Sequence, residues 1–312
     1  MSELFHRPAR RGAARSVPPT VEQLIVRSAR RLRRSRVHFG HGTDNARDEA
    51  ALLVLHALGR RAAAGAPGRR ARVGAAAQRR LEQLLSRRIR ERIPAVYLTG
   101  ITWFAGLPFK VDPRALIPRS PIAELIERGF APWVVPARVR RVLDIGTGGG
   151  CIAIATAKAL PRARVDAVDI SPAALALAGE NVARHHLRGR VRLIVSDHFR
   201  ALRGRRYDMI IANPPYVGAR ELAGLPPEYR HEPRLALAAG RSGLDSVRVI
   251  LRGAARHLRP GGVLIVEVGN TEHAVRRAFR LPFLWLDFAR GGGGVFLLTR
   301  AQLTQARTAH VR

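Results

Sequence analysis

A glycine-rich stretch that carries one acidic residue is the first candidate for chemistry in this sequence. Residues 142–151 read Val-Leu-Asp-Ile-Gly-Thr-Gly-Gly-Gly-Cys, which predicts a buried strand ending at Asp144 and a turn through Gly146, Gly148 and Gly150 into a helix. Glycines let the backbone come close to a ligand, and the N-terminus of a helix offers free N–H groups. A loop of this kind is typical of a nucleotide or nucleoside site, and taken alone it could serve a dinucleotide.

Two further acidic residues follow the next two predicted strands. Asp169 ends the strand over residues 164–169, and Asp197 follows the strand over residues 191–196. Since parallel strands end at one edge of a sheet, Asp169 can accept both ribose hydroxyl hydrogens and Asp197 suits an adenine amino group. The D-x-G-x-G-x-G form of the loop resembles motif one of class I methyltransferases that use S-adenosylmethionine. The resemblance implies this cofactor and a site formed by Asp144, Gly146, Thr147, Gly148, Gly149, Gly150, Asp169, Asp197, His198 and Asn213.

A four-residue motif, Asn213-Pro214-Pro215-Tyr216, follows another predicted strand, Tyr207–Ala212. Methylating a planar amide or exocyclic amino nitrogen is difficult, because the lone pair is delocalised. The Asn213 side-chain oxygen and an adjacent backbone carbonyl can accept the two N–H hydrogens, which aims the nitrogen at a methyl group and stabilises the developing positive charge. The prolines fix φ and add no competing donor, and Tyr216 can pack on the flat amide or base. We therefore predict that these four residues are catalytic.

The four-residue motif resembles those of two enzyme groups, the adenine-N6 methyltransferases of nucleic acids and the HemK-type protein glutamine N(5)-methyltransferases. Three other segments are similar to the HemK type, namely residues 94–100, the pair Trp103-Phe104 and residues 116–119. The resemblance runs from about Val21 to the end of the chain. It implies methyl transfer from S-adenosylmethionine to the side-chain amide nitrogen of a glutamine.

Three segments distinguish the branches of that family. Residues 118–126, 228–233 and 291–296 resemble the branch that acts on large-subunit ribosomal protein three, whereas the release-factor branch has a Pro-Glu-Thr-Glu-like run where this chain has Ser-Pro-Ile-Ala. The chain departs from the family at Gly149, where serine is more usual, and at His198, where a hydrophobic or aromatic residue is more usual. A release-factor glutamine methyltransferase, a nucleic-acid adenine-N6 methyltransferase and a non-catalytic RNA-binding assembly factor are the alternative functions.

The elements that must position these residues fall into three regions. Apolar residues at helical spacing predict a small bundle over residues 21–93, which we expect to recognise the protein substrate. Residues 94–120 predict a β-hairpin connector, and strands that alternate with helices over residues 121–312 predict an α/β, mostly parallel, doubly wound sheet with a C-terminal antiparallel hairpin. Helices are predicted at residues 21–36, 47–59, 75–92, 151–160, 173–186 and 244–258, and strands at 139–144, 164–169, 191–196, 207–212, 263–268, 283–288 and 295–299.

The chain is strongly basic. It has 55 lysines and arginines against 23 acidic residues, a net charge of +32, and only Lys110 and Lys158 are lysines. Residues 1–92 hold 22 arginines and 7 acidic residues, and residues 1–20 read as a basic, disordered tail. Such a charge attracts polyanions, so we expect ribosomal RNA contact through the basic bundle, although a codon bias towards arginine explains the charge equally well.

Cysteine content and hydropathy indicate where the protein works. A single cysteine, Cys151, excludes an internal disulfide, makes a cysteine-based metal site unexpected and favours a reducing compartment. No apolar run reaches about 18 residues, so no transmembrane helix is predicted. We therefore expect a cytoplasmic protein without a metal ion that acts on a large-subunit ribosomal protein.

Overall fold

The structure, a computed structural model, describes residues 17–59 and 68–309. The helices in these ranges are α1 (Val21–Arg34), α2 (Ala46–Ala57), α3 (Ala75–Arg90), α4 (Ala95–Thr99), α5 (Ile122–Glu127), α6 (Cys151–Ala159), α7 (Pro172–Arg184), α8 (Ala219–Ala223), α9 (Asp245–His257), α10 (Glu272–Ala278) and α11 (Arg300–Ala309). The strands are β1 (Ile101–Phe104), β2 (Leu107–Lys110), β3 (Arg141–Ile145), β4 (Arg164–Asp169), β5 (Val191–Val195), β6 (Tyr207–Ala212), β7 (Leu258–Glu267), β8 (Leu284–Leu286) and β9 (Val295–Thr299).

The N-terminal helices α1 to α3 form where the apolar spacing predicts them. Leu32, Leu53 and Leu81 lie in one buried cluster, so the three helices share a core. Thr20 begins α1 with a capping box, in which its hydroxyl accepts from the Gln23 backbone N–H and the Gln23 side chain accepts from the Thr20 N–H. The predicted tail lies outside the described residues except for 17–20, which lead into this cap.

The connector is a hairpin only in its middle part. Strands β1 and β2 pair antiparallel, as predicted, but residues 95–99 form the short helix α4 and not an extended segment. The expectation was wrong there, because Ala95 and Val96 are buried against neighbouring residues and Gly100, at φ +70°, supplies the left-handed residue that ends the turn.

The large sheet has the strand order β5-β4-β3-β6-β7-β9-β8. The first five strands in this order are parallel, and β9 runs antiparallel to both of its neighbours. This confirms the predicted α/β class with a mostly parallel sheet and a C-terminal antiparallel hairpin. Strand β7 begins at Leu258, which pairs with Tyr207, and the predicted helix over residues 244–258 therefore ends one residue earlier.

Both faces of the sheet are covered. Val142, Met209 and Ile265 face one apolar cluster, and Leu143 and Ile210 face the other, so adjacent residues of β3 and β6 alternate between two cores. A central strand buried on both faces can present functional groups only at its ends. In the described part of the chain, no helix is long and apolar enough to cross a bilayer, and no cluster of three potential metal ligands occurs.

Candidate active site

Asp144 holds the glycine-rich loop from within the sheet. It lies one residue before the end of β3 and is 1% exposed, and its Oδ2 accepts from Thr147 Oγ1 at 2.6 Å and from the Ala153 backbone N–H at 3.1 Å. Burial raises the pKa of this carboxyl group to about 7. The side chain therefore fixes the path of the loop around the start of α6.

The glycine loop packs closely against α7, and Gly150 is the residue that this packing requires to be glycine. Gly150 has φ +82°, and a Cβ there would lie 3.2 Å from the Ala178 Cβ of α7. The Gly149 carbonyl accepts from Asn181 Nδ2 at 2.9 Å, so the loop is also tied to α7. Burial raises the pKa of the Cys151 thiol at the start of α6, which makes it a packing residue and not a reactive one.

A cavity opens at the carboxyl edge of the parallel strands. Most of the predicted site residues line it, together with residues of the connector and of the segment after the Asn-Pro-Pro-Tyr motif: Gly146, Gly148, Asp169, Asp197, His198, Asn213, Pro214, Pro215, Arg114, Ala115, Leu116, Ile145, Ile170, Ser171, Ala174, Ser196, Pro233, Leu235, Ala236, Ala238 and Ser246. Five predicted site residues do not line it, namely Asp144, Thr147, Gly149, Gly150 and Tyr216. These five residues lie behind the lining residues and support them.

Asp169 connects the second strand to the glycine loop. Its Oδ2 accepts from the Gly148 N–H at 2.8 Å, and its Oδ1 accepts from the Ser171 N–H at 2.9 Å. A carboxylate has about four acceptor positions, so two remain for hydroxyl donors. Ile170, which the sequence reasoning missed, is 51% exposed beside it and lines the cavity. The sequence feature that could have indicated Ile170 is its position as an apolar residue directly after an acidic residue at the end of a strand.

Asp197 and His198 form the far end of the cavity. The Asp197 Oδ1 lies 2.6 Å from His198 Nδ1, and half of the Asp197 side chain is exposed. His198 has φ +47°, a left-handed conformation that is uncommon for a residue with a side chain. The hydroxyl of Ser196 donates to the His198 carbonyl at 2.9 Å and holds this turn.

The Asn-Pro-Pro turn lies directly against the glycine loop. A Cβ on Gly146 would be in ordinary contact, at 3.7 Å, with both the Asn213 carbonyl oxygen and the Pro214 Cα, and the backbone φ of +72° is what favours glycine here. Pro214 is buried, and the half-buried Asn213 follows the last residue of β6. No other group in the described part of the chain hydrogen-bonds to the Asn213 side-chain amide. The amide is therefore available to a ligand in the cavity.

Tyr216 points away from the cavity to a buried carboxyl group. Its hydroxyl donates to Glu267 Oε1 at 3.3 Å, and its ring packs so closely on Gly269 that a Cβ there would lie 2.7 Å from the ring. Ser120 donates to the other Glu267 oxygen. Burial raises the pKa of Glu267 to about 7. Sequence reasoning missed Glu267. The feature that could have indicated it is an acidic residue within the apolar run of β7.

The segment after the motif is anchored by two buried glutamates. Glu228 accepts from Arg88 of α3 at 3.0 Å, and Arg88 also donates to Glu49 of α2 at 2.7 Å. Glu232 accepts from Arg119 at 2.7 Å and from the Ile117 N–H at 3.1 Å. Leu116, next to Ile117, and Pro233, next to Glu232, both line the cavity. The Glu232 side chain therefore joins two walls of the cavity.

Comparison with known proteins agrees with this geometry. A family model described as Methyltransferase small domain matches residues 131–224, and one described as PrmC N-terminal domain matches residues 27–100. A protein of Xanthomonas campestris pv. campestris named ribosomal protein uL3 glutamine methyltransferase is 49% identical over 91% of this chain and 92% of its own. Proteins of the same name from Bordetella pertussis and Neisseria meningitidis serogroup B are 48% and 46% identical over 91% of this chain, and over 96% and 94% of their own lengths.

The chain is a member of the HemK-type glutamine methyltransferase family. It is a methyltransferase, and S-adenosylmethionine is its methyl donor. The cavity residues fit this cofactor, because Asp169 keeps free acceptor positions for ribose, Ile170 exposes an apolar surface for the adenine, and Gly146 leaves the backbone open to close approach.

Proposed function

We propose that this methyltransferase methylates the side-chain amide nitrogen of a glutamine in large-subunit ribosomal protein uL3. The observation that carries the proposal is the Asn213 amide, which has no hydrogen-bond partner in the described residues and lines the same cavity as Asp169. The names of the relatives support the choice of substrate. The substrate is synthesised in the cytoplasm, where we place the reaction.

The mechanism depends on orienting the substrate amide nitrogen more than on removing its proton with a base. Bound S-adenosylmethionine supplies a methyl group on a positively charged sulfur, which is a good leaving group. Asn213 Oδ1 accepts one hydrogen of the substrate amide and a backbone carbonyl of the same turn accepts the other, so the nitrogen faces the methyl group. These two oxygens also stabilise the charge that develops on nitrogen. The nitrogen gains the methyl group and releases one proton to water at the open cavity.

The prolines and Tyr216 keep the turn in place. Pro214 and Pro215 line the cavity, fix φ and leave the acceptor oxygens without a competing N–H. Tyr216 acts as a positioning residue, since its hydroxyl binds Glu267 and its ring fills the space beside Gly269. The earlier prediction that Tyr216 packs on the substrate amide is replaced by this indirect role in our proposal.

Purified substrates decide between the proposed function and its alternatives. The full chain is incubated with labelled S-adenosylmethionine and, separately, with uL3, a peptide-chain release factor and protein-free ribosomal RNA. We expect label in uL3 alone, on one glutamine-containing peptide whose mass increases by one methylene group. Label in the release factor or in the RNA would contradict the proposal and support the corresponding alternative.

We further propose that the bundle contacts ribosomal RNA beside the substrate. The substrate is itself expected to be basic, so charge attraction to the free protein does not account for a basic bundle. Arg30, Arg33 and Arg34 of α1 are exposed and have no ion pair in the described residues, whereas Arg31 is paired with Glu82 at 2.6 Å. Their planar guanidinium groups suit phosphate oxygens.

The salt dependence of methylation tests this contact. Methylation of a pre-ribosomal particle should fall steeply between about 50 and about 200 mM salt, and a variant with R30E, R33E and R34E should show a shallower slope. Methylation of free uL3 by the same variant should be unchanged or improved. Equal salt slopes for particle and free protein would mean that the bundle arginines make no functional RNA contact.

A further inference from the structure

A groove lined by five arginines lies on the catalytic domain, apart from the cofactor cavity. Arg248, Arg252 and Arg256 occupy every fourth position of α9, and Arg277 and Arg280 lie at the end of α10 and just beyond it. The groove and the cofactor cavity share no lining residue. The groove is therefore a separate surface feature that methyl transfer does not explain.

The charge of this groove is uncompensated. No carboxylate lines it, and none of its five guanidinium groups has an ion pair within the residues that the structure describes. Like charges four positions apart on a helix destabilise it by mutual repulsion. The arginine stripe of α9 thus opposes folding of the free protein, and a polyanion in the groove would relieve the repulsion.

We propose that the groove binds the phosphodiester backbone of RNA. Successive arginines of the α9 stripe are separated by about 6 Å along the helix axis, similar to the distance between neighbouring phosphates of one strand. Phe279 is half-buried, with the Arg248 guanidinium 5.7 Å from its ring centre, and Leu281 lies beside it. These apolar groups offer a surface for a sugar or base next to the phosphate contacts.

A second arginine-lined hollow provides a matched control. It lies at the amino ends of β4 and β5 and includes Arg164, Arg188 and Arg192, which are exposed. This hollow contains a carboxylate, Asp166, which is paired with Arg205 at 2.8 Å. Reversing the charge of three arginines changes the net charge of the protein equally in the groove and in the hollow. A comparison of the two variants therefore distinguishes RNA binding at a specific site from general attraction of RNA to a basic surface.

Fluorescence anisotropy with a labelled single-stranded RNA tests the proposal on the full chain without any methyl transfer. At about 50 mM salt, R252E/R256E/R277E should bind at least tenfold more weakly than the wild type, and the slope of log affinity against log salt should become shallower by about 2. The control R164E/R188E/R192E should lose less than about threefold. Equal losses in the two variants would overturn the proposal, because the attraction would then be spread over the whole surface.

Two further measurements complete the test. The first is a competition experiment, in which polyglutamate and unlabelled RNA of equal total charge each compete with the labelled RNA. Equal displacement by the two competitors would also overturn the proposal, because it would show that any polyanion binds the groove. The single reversal R252E should raise the Tm by about 1 to 3 °C, because it places an acid between two arginines of the stripe. If the triple reversal fails to fold, R252Q/R256Q/R277Q replaces it, with the same expected loss of RNA binding.

Discussion

Arg88 of α3 and Glu228 of the segment after the Asn-Pro-Pro-Tyr motif form an ion pair at 3.0 Å in which neither side chain is exposed. The pair joins the N-terminal bundle to the segment whose next residues line the cofactor cavity. Arg88 also donates to the His38 carbonyl at 2.6 Å, so its guanidinium group is bound on three sides. The bundle therefore has a fixed position relative to the segment that lines the cavity.

This pair yields the first prediction, on stability. Arg88→Met should lower the free energy of unfolding by about 3–5 kcal/mol, because it leaves Glu49 buried without its arginine and leaves Glu228 with only the longer 3.6 Å ion pair to Arg92 among the described residues. Arg87→Met is the matched control, since Arg87 is exposed and its i,i+4 pair with Glu91 contributes about 0.5 kcal/mol or less. Chemical denaturation measures both. Similar effects of the two substitutions would show that the buried pair is not a structural anchor.

The second prediction concerns methyl transfer. Asn213→Ala should reduce kcat by about 10²–10³ while the protein stays folded and binds S-adenosylmethionine, because the variant lacks an acceptor that orients the substrate amide. Asn270→Ala is the control, since this asparagine is exposed and its side chain binds Glu221 alone among the described residues. Single-turnover kinetics with uL3 checks both variants. A rate close to that of the wild type would contradict the role assigned to Asn213.

The third prediction concerns the cofactor. Asp169→Ala should weaken S-adenosylmethionine binding by about 10²- to 10⁴-fold, since two hydrogen bonds to a charged acceptor are lost and the Gly148 N–H loses its partner. Asp166→Ala, on the same strand, should leave the affinity unchanged, because Asp166 binds Arg205 and Tyr207 away from the cavity. Titration calorimetry distinguishes them. Unchanged affinity in the Asp169 variant would place the ribose elsewhere.

The fourth prediction is a pH dependence of stability. Burial raises the pKa of Glu267 from 4.5 to about 7 in the folded protein, so the folded state binds the proton more tightly than the unfolded chain. Its contribution is fully present below pH 4.5 and is lost as the pH rises to about 7, with a magnitude on the order of 3 kcal/mol. Tyr216, Ser120 and Arg119 act on the same carboxyl group and favour its charged form.

Glu267→Gln tests this dependence, because glutamine keeps the shape of the side chain and does not titrate. The Tm of the variant should fall less than that of the wild type between pH 5 and pH 7. Asp144 has a pKa raised to about 7 by burial and contributes a loss of the same sign, so part of the dependence should remain in the variant. An identical fall in both proteins would mean that Glu267 is ionised throughout this range.

Much of the site was predictable because its signals are local in the sequence. The glycine loop, the strand-end Asp169 and the Asn-Pro-Pro turn each combine a short motif with an adjacent strand, and parallel strands bring their carboxyl ends to one edge. Hydrophobic periodicity likewise predicted α1 to α3 and the strand-helix alternation, because burial of one face determines which residues must be apolar.

The tertiary structure decided which of these residues reach the cavity. Asp144 is part of the glycine motif, yet it lies inside the sheet and binds Thr147, since the strand continues one residue beyond it. Tyr216 is part of the Asn-Pro-Pro-Tyr motif, yet its hydroxyl is bound to Glu267, which lies on β7. The Arg88–Glu228 and Arg119–Glu232 pairs join residues that are far apart in the chain, and spacing along a sequence contains no information about which buried charges will meet. Those pairings depend on how the bundle, the connector and the sheet pack together, which is a property of the folded chain alone.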